Sequence, residues 1–209
     1  MQDDLMIFEE FRDALFRSFY DDNIKISNIP LFIVWVKKEL NRNAYNLGIS
    51  SEDFLEAVIK ILSWNNYNIE QFYEELDNRK WKRIVFMKLD PTNQMNILNR
   101  DPEAIDFLKD ATPQVITRFK EILIDIAKNP KHPNQYTSIF VLSKIISDPD
   151  VKNLYKELLY DWDENLRRSI LLVIKETRDP ELIEYIKILK SEENDDTNLK
   201  IIQDILNNG

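Results

Sequence analysis

The chain has 209 residues, 44% of them hydrophobic and 11% aromatic, which is enough to bury a sizeable core and excludes a disordered tail. Its 37 acidic residues outnumber 28 basic ones for a formal net charge of −9, so the long-range field repels polyanions and favours basic partners. Cysteine is absent and only Gly48 and Gly209 are glycine, which removes disulfides, thiolate chemistry, phosphate-cradling loops and dinucleotide fingerprints together.

No hydrophobic run approaches the roughly 18 uninterrupted apolar residues of a membrane span. The acidic start "MQDDL" lacks the basic flank of a secretory signal, so a soluble cytoplasmic protein is expected. Helical spacing begins at once, with Phe8, Phe11, Leu15, Phe16 and Phe19 on one stripe. Leu31, Val34, Trp35 and Leu40 follow the capping phrase "SNIP", and Ser50 stands three residues before Asp53 in "SSEDFLEAVIKILSW", a variant of the capping box. A bundle of four or five helices is predicted up to residue 89.

The run "RKWKR", Arg79, Lys80, Trp81, Lys82 and Arg83, departs most from the acidic background. It admits two readings: a docking patch for phosphates or an acidic protein with Trp81 stacking, or a solvated helix end with cations near a C-terminus and Trp81 tucked inward. Beyond it, Asp90-Pro91, Asp101-Pro102, Thr112-Pro113, Asp148-Pro149 and Asp179-Pro180 each set a side-chain acceptor before a proline. That is how a helix cap and first helical position read, so five helix starts are predicted. Val115, Phe119, Ile122, Leu123 and Ile126 predict one amphipathic helix. His132, the only histidine, sits between Pro130 and Pro133 with no nucleophile or metal-ligand spacing near it, and reads as a loop residue without a catalytic task.

From residue 138 the chain repeats itself. "SIFVLSKIISDPDV" (138–151) returns as "SILLVIKETRDPEL" (169–182), 31 positions later, and "DDTNLKIIQDILNN" (195–208) opens like the segment from Asp163. One helical hairpin is being reused, and such a unit buries its apolar face only by stacking on neighbours. At the junction, "YDWDEN" (160–165) puts Trp162 between two aspartates. Trp162 is either an exposed anchor for a protein partner or a buried wedge between hairpins. "SEENDD" (191–196) lacks the ligand spacing and glycine of a calcium loop and reads as a polar connection capping the last helix. The final hairpin is expected to end after its first helix at Asn208. Ile202 and Ile205 then either fold back on the preceding hairpin or meet a partner, including a second copy of the chain.

Two resemblances follow from these residues. The acidic cap, the aliphatic-basic pairs Leu166-Arg167 and Leu199-Lys200, the positions Ser169 and Ile202, and the Asp-Pro turn resemble HEAT-type helical repeats over about residues 101–209. Gln135 and Tyr136 depart from that pattern, and a 31-residue period is shorter than the ~40–47 residues of such units. The succession "FRDALFRSF", "LFIVWVKKELNRN", "FLEAVIKILSW" and "IEQFYEEL", with Leu15, Phe19, Leu40, Asn41 and Trp64, makes residues 5–76 similar to the effector-associated helical domains of bacterial defence systems. That resemblance implies a homotypic adaptor role.

The expected fold is all-α, a helical bundle over 1–89 followed by a short HEAT-like α-α hairpin solenoid over 90–209. The expected function is a non-enzymatic adaptor or regulatory subunit binding another protein, one of basic character, with no cofactor and no metal. The alternative is a nucleic-acid-binding repeat protein using residues 79–83, against which stand 22 acidic and 16 basic residues over 90–209. A third class is an enzyme built on an unrecognised carboxylate site.

Overall fold

A computed structural model describes residues 2–42 and 47–207, with side chains from Ile7 onward; Asn208, where the last helix was expected to end, lies outside the described residues. Every regular element among the described residues is a helix, so the fold is all-α. Two compact units divide the chain, Met1–Arg100 and Asp101–Gly209.

The first unit contains α1 (Gln2–Arg17), α2 (Ile29–Asn41), α3 (Ser51–Trp64), α4 (Ile69–Glu75), α5 (Arg79–Lys88) and α6 (Pro91–Arg100). Asn28, Ser50, Asn68 and Asn78 cap α2 to α5 by accepting from backbone N–H groups one turn ahead, the orphan donors of each helix start. Helix α3 buries Phe54, Leu55, Ala57, Val58, Ile61 and Leu62, and α1, α2, α4 and α5 all pack on it. Between α1, α2 and α3 the rings of Phe11, Phe32, Trp35 and Phe54 lie 5.4–6.0 Å apart. Offset and edge-on aromatic pairs at such distances add stabilisation beyond their buried area. Val34 and Phe19, expected on the apolar stripes, are exposed, Phe19 because α1 stops at Arg17.

The division falls after residue 100, not after 89, because α6 is fastened to the first unit. The buried Glu70 accepts from Asn96 Nδ2 at 2.6 Å and pairs with Arg100 at 2.9 Å, while Gln94 Nε2 donates to the Phe86 carbonyl at 2.7 Å. A buried carboxylate left without those partners would be costly, so α6 stays with α4 and α5.

In the second unit a 3-10 helix (Pro102–Asp110) leads to α7 (Pro113–Arg118), α8 (Lys120–Lys128), α9 (Gln135–Leu142), a 3-10 turn (Ser143–Ile145), α10 (Pro149–Leu158), α11 (Glu164–Thr177), α12 (Pro180–Leu189) and α13 (Asp196–Asn207). All five acceptor-proline junctions start helices, although Thr112 makes no capping bond and Asp101 opens a 3-10 helix. The predicted single helix over 115–126 is broken at the buried Phe119, whose φ of −107° and ψ of 9° leave helical geometry between α7 and α8. Its apolar stripe continues across the break through Ile116, Phe119, Leu123 and Ile126, which is why spacing alone did not reveal it.

Two helical layers form this unit. The 3-10 helix, α9, α11 and α13 pack in series, as do α8, α10 and α12, and the layers meet in the pairs α8 with α9, α10 with α11, and α12 with α13. The repeated phrase does the same work twice. Asp148 and Asp179 each cap a second-layer helix and each accept a lysine from the preceding helix of that layer, Lys120 of α8 at 3.0 Å and Lys152 of α10 at 3.0 Å. The same lysines reach the acid two residues on, Asp150 at 2.6 Å and Glu181 at 3.1 Å. With so few glycines, the turn from α11 to α12 is made by Arg178 in the left-handed region, φ 55° and ψ 33°. Its guanidinium donates to the Ile205 carbonyl at 2.8 Å, satisfying an orphan acceptor at the end of α13.

Candidate protein-binding site

Of the two alternatives for Trp162, exposure is the one realised: the residue is 99% accessible, and among the described residues no other large hydrophobic side chain stands as far into solvent. The surrounding backbone is held from several sides. Asp161 Oδ1 accepts from the Asp163 N–H at 2.9 Å, and Asp163 Oδ1 accepts from Asn165 N–H at 2.8 Å as the cap of α11. Tyr136, on α9, donates its hydroxyl to Asp163 Oδ2 at 2.7 Å. That bond holds the Asp163 carboxyl below its ordinary range and pushes the Tyr136 phenol up.

Arg167 closes the arrangement. Its Nη1 donates to the carbonyls of Asp161 at 2.8 Å and Trp162 at 3.2 Å, while Nε and Nη2 grip Glu193 at 2.9 and 2.7 Å. The Glu193 side chain is 1% exposed, and the guanidinium beside it holds its carboxyl down at about 2. Glu193 also accepts from the N–H groups of Asn194 and Asp195 and from Asn198 Nδ2. Such a two-pronged, charge-assisted contact has one good geometry, so it ties the loop carrying Trp162 to the α12–α13 connection.

Between these loops lies an open hollow of about 250 Å³, lined by Leu159, Tyr160, Trp162 and Leu189 and edged by Asp161 and Glu192. Tyr160 is half exposed and stands edge-on to Tyr185, ring centroids 6.0 Å apart. Burial and the Tyr160 hydroxyl push the Tyr185 phenol up to about 12.

The basic run follows its second reading in tucking Trp81 inward and departs from it in its place on the helix. It opens α5 and does not close a helix, with Asn78 as the cap accepting from Lys80 N–H at 2.8 Å, so its cations stand at the helix end that disfavours them. Trp81 is 4% exposed and covered by Lys80, whose Nζ lies 4.8 Å from the ring centroid; it is a core residue and no platform for stacking a base. Lys82 covers Tyr73 in the same way at 5.0 Å, while Arg79 and Arg83 stay exposed.

Ile202 and Ile205 are fully buried because α13 folds back onto α11 and α12. Folding back was one of the two outcomes expected, and it removes both side chains as a contact with a second copy. In "SEENDD", Glu193 and Asp195 are engaged by Arg167, Arg168 and backbone N–H groups, and Asp195 accepts from Asn198 N–H in the first turn of α13. Among the described residues no group of three potential metal ligands occurs. His132 lies in the loop before α9, where its Nδ1 accepts from the Asn134 N–H at 3.2 Å.

Sequence reasoning named Trp162 but missed Arg167 as its organiser. The signal was faint: "LRR" placed Arg167 one position after a buried leucine, and only folding brings Glu193, 26 residues on, to meet it. No family model matches the chain, and comparison with curated proteins and with solved structures returned no match. Among the described residues no helix is long and apolar enough to cross a membrane.

Proposed function

We propose that this chain is a non-catalytic adaptor or regulatory subunit that binds another protein at the junction of α10 and α11. Trp162 carries the reading, as a large aromatic side chain left in water on a backbone already ordered by Arg167, Asp161 and Asp163. Burying such a side chain from water stabilises a complex by ~1.5–3 kcal/mol or more, and little loop entropy is lost because the loop is held beforehand. Tryptophans in that position are enriched among the residues that dominate binding energy. The HEAT-like pattern over 101–209 and the similarity of residues 5–76 to effector-associated domains support a role in a bacterial defence system, with one unit for each of two partners.

The test is a pull-down from host extract with the full chain and with Trp162→Ala, at two salt concentrations and with or without nuclease. A defined protein retained by the wild type through nuclease and high salt, and lost by Trp162→Ala at unchanged unfolding midpoint, supports the adaptor. The same proteins on both baits would overturn it. Retention abolished by nuclease would transfer the reading to Arg79, Lys80, Lys82 and Arg83, since phosphate contacts weaken steeply with salt.

A further inference from the structure

We infer that the hollow beside Trp162 takes an arginine side chain from a basic segment of the partner protein. This rests on the adaptor reading and names the chemistry of its contact. Three observations select a cation over an anion or a plain apolar side chain. Two of the residues that line the hollow are aromatic, the fully exposed Trp162 and the half-exposed Tyr160, and ring faces attract cations. Arg167, the basic group lining the hollow, is spent: its N–H donors go to Glu193 and to the Asp161 and Trp162 carbonyls, leaving it no fork to offer an anion. The nearby Lys156 is likewise held by Glu181 at 2.5 Å.

What remains at the edge is negative. Asp161 and Glu192 line the hollow without an ion-pair partner among the described residues, and the chain as a whole carries −9. A planar guanidinium can lie on the indole and donate to a carboxylate at the edge, whereas an ammonium is more strongly hydrated and lacks the fork. The occupant is therefore arginine in preference to lysine.

The probe is a short glycine peptide carrying two arginines, compared with versions carrying lysine or glutamate, with binding to the full chain followed by anisotropy of a dye on the peptide. The expected order is arginine tighter than lysine, with no binding of the glutamate peptide. Trp162→Ala is expected to weaken the arginine peptide about fivefold or more, the loss of one cation-aromatic contact. The pair Asp161→Asn and Glu192→Gln, which keeps an acceptor at position 161 for the Asp163 N–H, is expected to weaken it about as much and to flatten its salt dependence. Equal binding of arginine and glutamate peptides, or none of either at millimolar peptide, overturns the inference. A native partner that still needs Trp162 but ignores the Asp161/Glu192 pair would overturn the arginine while leaving the adaptor standing.

Discussion

Replacing Glu193 by glutamine removes one charge from a nearly fully buried ion pair while keeping the side chain's size and one acceptor oxygen. In the folded chain Arg167 holds the Glu193 carboxyl at about 2, against 4.5 when unperturbed. A carboxyl depressed on folding contributes stability that is fully present above its unfolded pKa and is lost as pH falls toward its folded one. The window is therefore about pH 4.5 down to about 2, and linkage puts the full contribution at ~3 kcal/mol. Because the side chain is 1% exposed, solvent screening takes little from that figure. Glutamine still accepts one bond, so a loss of ~2–3 kcal/mol at neutral pH is expected for Glu193→Gln. Urea unfolding of both proteins from pH 7 to pH 2.5 measures it. The gap between them should be widest above pH 5 and close as the wild-type carboxylate takes up its proton. Comparing two proteins cancels the other acidic groups that titrate in the same range. A gap below ~0.5 kcal/mol at pH 7, or one that stays constant on acidification, would refute the argument that Arg167 and Glu193 hold the loop.

Three further outcomes follow from the same packing. Trp81→Ala should cost ~3–5 kcal/mol in the unfolding of the first unit, and Trp162→Ala less than ~0.5 kcal/mol in the second, since one ring is buried and the other is in water. Ile202→Ala should lower stability by ~2–4 kcal/mol with no change in solution mass, a combination measurable by denaturation and light scattering. At the left-handed turn after α11, Arg178→Gly trades the bond to Ile205 for relief of a strained backbone and should come out near neutral, whereas Arg178→Ala loses the bond and keeps the strain at a cost of ~1–2 kcal/mol. Thermal unfolding should therefore rank glycine above alanine at that position, and the reverse order would remove the strain argument.

Local chemistry was legible in advance because it acts within one turn of chain. The acceptor-proline junctions and the Ser50 cap need only neighbours a few residues away, and each stands where the sequence places it. So does the all-α class, since a chain with two glycines and five proline-punctuated starts has little besides helices to build. What the sequence left open was decided by partners far along the chain. Trp81 and Trp162 sit beside charged residues in equally polar phrases, yet one is 4% and the other 99% exposed. The difference is that α5 must bury one face against α3 and α4, while the loop after α10 is held by Arg167 and Asp163 from beneath and leaves its indole outside. The boundary at residue 100 was likewise set by Glu70 reaching Asn96 and Arg100. The site itself exists only through contacts spanning 26 and 27 residues, Arg167 with Glu193 and Tyr136 with Asp163. Helical spacing constrains which side chains share a face; which neighbour covers that face, and which aromatic ring is left for a partner, is settled only when the layers pack.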